Sequence, residues 1–94
     1  MEVRFHASFR SVVGGRSVEV RVPGRTRCTV RALLAAIRLR WPDFAGTLVD
    51  AHGGLLRHVN LFVDGRSVRW LPEALETRVS AENRIDIFPP VAGG

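Results

Sequence analysis

The sequence predicts an α+β domain in which a sheet of four to five strands packs on one main helix. Three patterns carry that expectation. Apolar and polar residues alternate near both ends of the chain, as they do in half-buried strands. One central segment instead places its apolar residues at helical spacing. A single long helix can cover only one face of a mostly antiparallel sheet, so two layers are the economical packing. The length of 94 residues allows one modest core and no second domain.

Val3, Phe5 and Ala7 alternate with Arg4, His6 and Ser8, and Val18, Val20 and Val22 alternate with Glu19 and Arg21. Gly14-Gly15 lies between these runs and suits a tight turn, so the first two strands should form a hairpin. Thr29 offers an N-cap oxygen to a helix in which Val30, Leu33, Leu34, Ile37 and Trp41 form one stripe. Arg38 and Arg40 near its end complement the helix dipole, and Trp41-Pro42 stops it. Residues 43–50 add a turn or two packed through Phe44, Leu48 and Val49, before a flexible stretch around Gly53-Gly54.

Further on, Val59, Leu61 and Val63 point one way while Asn60 and Phe62 point the other. Asp64-Gly65 is a strong hairpin signal leading into a short strand with Val68 and Trp70. Leu71 to Leu75 reads as a brief helical turn opened by Pro72. The last strand, Arg84 to Phe88, buries Ile85 and Ile87 and turns Asp86 and Phe88 outward.

Composition removes several classes of function. One cysteine, Cys28, excludes an internal disulfide framework and a cysteine-built metal cluster. His6, His52 and His58 have no metal-ligand spacing, so no metal is expected. Ser8, Ser11, Ser67 and Ser80 lack a nucleophile-elbow context. Gly14-Gly15 lacks the Lys-Ser/Thr continuation of a phosphate loop, so ATP is not expected to bind this chain. No apolar run approaches the roughly 20 residues of a membrane helix, and the charged start resembles no signal peptide. A cytoplasmic protein without membrane contact is expected. The net charge is +5, and all fourteen basic residues are arginine. They are scattered over every element and not gathered into a run, which argues against nucleic-acid binding as their use.

The chain ends Phe88-Pro89-Pro90-Val91-Ala92-Gly93-Gly94. Two prolines favour an extended spacer, and two glycines make a tip narrow enough for a tight channel. Residues 1–88 thus form the domain and 89–94 an extended tail whose distinctive group is the Gly94 carboxylate. This ending, with Ile85-Asp86-Ile87-Phe88 before it, resembles the MoaD/ThiS-type sulfur carriers. The opening Val3 to Arg10, the helix start Thr29 to Leu34, His58 to Gly65 and Val68-Arg69-Trp70 resemble that family in the same order. The likeness is greatest to the small subunit of molybdopterin synthase.

The resemblance implies a ubiquitin-like β-grasp with a mixed sheet, in which the first and last strands lie side by side at the centre. It implies that a ubiquitin-activating-type adenylyltransferase spends ATP to adenylate Gly94. A sulfur donor protein then converts the adenylate to a thiocarboxylate, and an acceptor enzyme such as a molybdopterin synthase large subunit takes the sulfur. The chain itself would be a non-catalytic co-substrate with no bound cofactor. Pro89, Pro90, Val91, Ala92 and Gly93 would be the docking spacer, and His6, Phe62 and Phe88 a partner-binding patch on the face the helix leaves open. Sulfur carriage for cysteine, thiamin, tRNA thiolation or a specialised metabolite, a ubiquitin-like protein modifier, and a plain β-grasp RNA-binding module remain alternatives.

Overall fold

The computed structural model describes residues 1–22 and 27–90. In chain order the elements are β1 (Glu2–Phe5), α1 (Phe9–Val13), β2 (Ser17–Glu19), β3 (Arg27–Thr29), α2 (Val30–Arg40), β4 (Asn60–Val63), β5 (Arg66–Ser67), β6 (Arg78–Ser80) and β7 (Ile85–Phe88). Single 3-10 turns occur at Pro42–Phe44, Val68–Trp70 and Ala74–Glu76. The main sheet has five strands in the order β2-β1-β7-β4-β5. β1 and β7 run parallel, with Val3 opposite Ile85 and Phe5 opposite Ile87, while the other pairs are antiparallel. The result is the mixed-sheet β-grasp that the family resemblance implies.

Alternation decides which side of the sheet is buried. Val3, Phe5, Leu61, Val63, Ile85 and Ile87 all point to one face and are buried. The stripe Val30, Leu33, Leu34 and Ile37 of α2 covers that face and is fully buried. Thr29 caps the helix as its side chain predicts, its Oγ1 accepting from the Ala32 amide at 3.1 Å. One end of the core is aromatic: Phe5 stacks on Phe44 at 5.6 Å, and Phe9 and Trp41 meet them edge-on.

Four differences from the sequence reading have local causes. β1 and β2 are paired, but the link is not a tight glycine turn. Ala7 leaves the strand with φ 52° and α1 follows, which lets Phe9 reach the core against Phe44. Gly14, at φ 80°, is the left-handed C-cap of α1, where its amide bonds the Arg10 carbonyl. Val68 and Trp70 lie in a 3-10 turn and not in a strand, so Val68 is buried and Trp70 exposed. β3 and β6 form a separate two-stranded sheet, pairing Cys28 with Val79. The Gly53-Gly54 stretch is held by Asp50, whose Oδ1 accepts from the His52 and Gly54 amides at 2.8 and 2.9 Å.

Two polar devices fix the strands around β7. Arg69 donates to the carbonyls of Val59, Leu56 and Arg57 at 2.6, 2.7 and 2.8 Å, clamping the approach to β4. Asp64 occupies the β4–β5 turn at φ 53°, and its carboxylate accepts from the Arg84 amide at 2.7 Å and Asn83 Nδ2 at 2.8 Å. Those donors, the Arg84 amide first, hold the Asp64 carboxyl below its ordinary range.

Lysine has no planar fork to serve three carbonyls. Arg69→Lys should therefore lower unfolding stability by about 1 to 3 kcal/mol in denaturant melts. The depressed Asp64 carboxyl contributes stability that is present above its unfolded pKa, near 3.8, and lost as pH falls through the lower folded value. Asp64→Asn keeps a residue that tolerates positive φ, so melts below that pH should lose stability less steeply than the wild type. An unchanged acid slope would remove Asp64 as its source.

Candidate functional site

The face opposite α2 is built by the outward residues of the same strands. β1–β7 register puts Arg4 opposite Asp86, and β7–β4 register puts Asp86 opposite Phe62 and Phe88 opposite Asn60. His6 lies one residue beyond β1 and continues the pairing, its amide donating to the Ile87 carbonyl at 3.1 Å. The three residues expected on this face therefore meet. The His6 ring stacks on Phe88 at 4.0 Å with planes 8° apart, and Phe62 meets Phe88 edge-on at 5.6 Å.

Asp86 faces the predicted side of β7 but is buried, at 7% exposure. A carboxylate so placed needs cationic or N–H partners to offset lost hydration. His6 Nε2 donates to its Oδ1 at 2.9 Å, and Arg84 Nε to its Oδ2 at 3.1 Å. The first bond also fixes the plane in which His6 meets Phe88. Asp86 and Arg84 are thus positioning residues that sequence reasoning did not single out. The available signal was an acid inside an apolar strand, between Ile85 and Ile87.

Phe88 is the last residue of β7 and is 36% exposed. Beside it a groove of about 570 Å³ is lined by Ala7, Ser8, Asn60, Phe62, Phe88, Pro89 and Pro90. The departure of Ala7 from the strand, unforeseen in the sequence, makes one of its walls. Apolar side chains at a concave surface offer the desolvated contact that protein interfaces use. Pro89 and Pro90 join this groove directly to the tail. Val91, Ala92, Gly93 and Gly94, the remaining tail residues singled out by sequence, lie outside the described residues. His52 and His58 stay apart from the patch in the loop before β4. Among the described residues no three His, Cys, Asp or Glu side chains group as metal ligands. No described helix is long and apolar enough to cross a membrane.

A β-grasp domain whose central strand runs through an aromatic groove into a proline-led Gly-Gly tail defines the class of ubiquitin-like carrier and modifier proteins. The chain belongs to the ThiS family, whose profile matches residues 3–94. It is 36% identical over 94 residues to small archaeal modifier protein 3 of Haloferax volcanii, covering 100% of this chain and 98% of that one. The crystal structure of SAMP1 from Haloferax volcanii superposes with a TM-score of 0.80 at 30% identity, covering 100% and 98% of the two chains. A chain of the Amycolatopsis orientalis BexX/CysO complex superposes with a TM-score of 0.77 at 29% identity, covering 99% and 98%.

Ile87 and Phe88 are neighbours in one strand with opposite environments, which makes them a direct test of this face. Ile87→Ala opens a cavity under α2 and should cost about 2 to 5 kcal/mol. Phe88→Ala should cost clearly less in the same denaturant melts, because the ring is partly solvated. Equal losses would mean that Phe88 serves the core and not the surface.

Proposed function

We propose that this chain is a sulfur carrier that acts through its C-terminal carboxyl group. The observation that carries the reading is the junction of an exposed aromatic groove with a Pro-Pro-led Gly-Gly tail. A carboxylate is a poor electrophile. A ubiquitin-activating-type adenylyltransferase would bind ATP and join AMP to Gly94, releasing pyrophosphate. Hydrosulfide delivered by a sulfur donor protein then adds to the Gly94 carbonyl carbon and AMP leaves with the bonding pair, so that loss of the S–H proton gives a C-terminal thiocarboxylate whose sulfur is nucleophilic.

In this reading the chain is a co-substrate and not a catalyst, and it binds no cofactor of its own. His6, Phe62 and Phe88 dock the partner, while Pro89 and Pro90 begin a spacer continued by Val91 and Ala92. Gly93 and Gly94 let the backbone pass partner atoms where a side chain would clash. Consumption of ATP fits a cytoplasmic setting. The tail favours delivery to a molybdopterin synthase large subunit as the acceptor. Solved relatives support a partner-dependent role, one of them being a chain of the BexX/CysO complex.

A second reading, protein modification, is favoured by the modifier names of the Haloferax volcanii relatives. A lysine amine of another protein would then attack the same adenylate. Intact-mass measurement on protein from its own cell separates the two readings: sulfur in place of oxygen at the terminus supports the carrier, and adducts to other proteins support the modifier.

Deleting Gly94 should leave melting unchanged and abolish ATP–pyrophosphate exchange with the activating enzyme. It withdraws the carboxylate by about 3.3 to 3.6 Å, a misplacement that can cost orders of magnitude in rate. Phe88→Ala should weaken binding to that enzyme while its tail stays competent. Full adenylation of the Gly94-deleted chain would overturn the proposal.

A further inference from the structure

The chemistry of an activated Gly94 depends on which nucleophiles can reach it, and the first candidates in solution are other copies of the same chain. In self-conjugation an amine nitrogen adds to the Gly94 carbonyl carbon. The bond to AMP breaks, AMP leaves with the electron pair, and the amine proton passes to solvent. Resting on the activation of Gly94 proposed above, we propose that this chain gives its activated terminus no self-acceptor, so that only sulfur donors or amines of other proteins capture it. Any conjugate would then carry the chain as a single, terminating unit.

Three observations remove side-chain amines and the thiol as acceptors. All fourteen basic residues are arginine, so the 94 residues contain no lysine amine. Guanidinium groups stay protonated at any physiological pH and are no substitute. Cys28, the one thiol, lies in β3 opposite Val79 of β6 and is buried at 5% exposure.

The remaining amine is that of Met1. As a class, α-amines have pKa values of about 7.7 to 8.0 against about 10.4 for lysine, so near neutral pH a free one would be the better nucleophile. Here it is engaged. Met1 N donates to Glu19 Oε1 at 2.6 Å and to the Val20 carbonyl at 3.0 Å. Val20 N returns a bond to the Met1 carbonyl at 2.8 Å, closing a pair that extends the β1–β2 ladder. To attack, the amine must lose its proton, the Glu19 ion pair and a sheet hydrogen bond together. The same arginine-only surface keeps its charge for partner encounter while offering no acylation site.

The test installs a Gly94 thioester by intein cleavage, which needs no activating enzyme, so its outcome is separate from whether Gly94 is adenylated. The wild-type thioester, concentrated at mildly alkaline pH, should give hydrolysed monomer by intact mass. Adding an N-acetyl-lysine amide should give its adduct, showing that the thioester is reactive. Arg57→Lys and Arg66→Lys, at exposed positions whose side chains make no hydrogen bond or ion pair among the described residues, should form covalent dimers several-fold faster than the wild type. Glu19→Gln should raise Met1-linked dimer several-fold. The proposal is overturned if the wild type dimerises through Met1 as fast as the lysine variants. It is equally overturned if those variants dimerise no faster than the wild type, or if the added lysine amide is ignored.

Discussion

The parallel pairing of β1 with β7 is the contact on which the other features depend. It joins the two ends of the domain, bringing His6 to Asp86 across 80 positions of sequence. Parallel neighbours cannot be joined by a tight turn, so the intervening chain must cross over, and α2 lies on that path. The crossover helix then covers one face of the sheet and leaves the other to solvent. β7 is placed between β1 and β4, which makes the strand before the tail the centre of the sheet. The same register stacks His6 on Phe88 and sets Phe62 against its edge. Core, open face and tail exit are thus consequences of one pairing.

Around that frame the acidic residues are largely engaged in internal structure. Glu19 holds the Met1 amine, Asp50 and Asp64 hold turns, Glu76 pairs with Arg31, and Asp86 sits between His6 and Arg84. Several arginines are equally occupied: Arg69 with three carbonyls and Arg40 with the Glu19 carbonyl at 2.6 Å. The latter occupies an acceptor on the β2 edge strand, where an open carbonyl would invite pairing with another chain. The acids thus shape turns and the site, while the net charge of +5 follows from fourteen arginines against nine acids.

Much of this was legible because it rests on period and on local chemistry. The alternation at Val59 to Val63 and Ile85 to Phe88 assigns both faces correctly. Thr29 marks the helix start, and Asp64-Gly65 marks the hairpin, by the mechanisms their side chains supply. What was not legible lies in pieces too short for a period to register. β3 and β6 have three residues each, β5 has two and α1 has five. In α1 the alternation through Ala7 pointed to a longer strand, and the demand of Phe9 for a place beside Phe44 prevailed. At Val68 the residue after a two-residue strand turned into the core. The patch His6, Phe62 and Phe88 was readable as a face, but the burial of Asp86 beneath it was not, because alternation gives direction and not depth.

The placement of β7 also has a mechanical meaning. A tail leaving from an edge strand would be anchored by a single ladder of hydrogen bonds. Here the tail leaves from the central strand, which is bonded to β1 on one side and β4 on the other. Tension applied along the tail runs along β7 and crosses its hydrogen bonds sideways, so both ladders share the load at once. A pull on the chain beyond Pro90 is thus borne by the centre of the sheet.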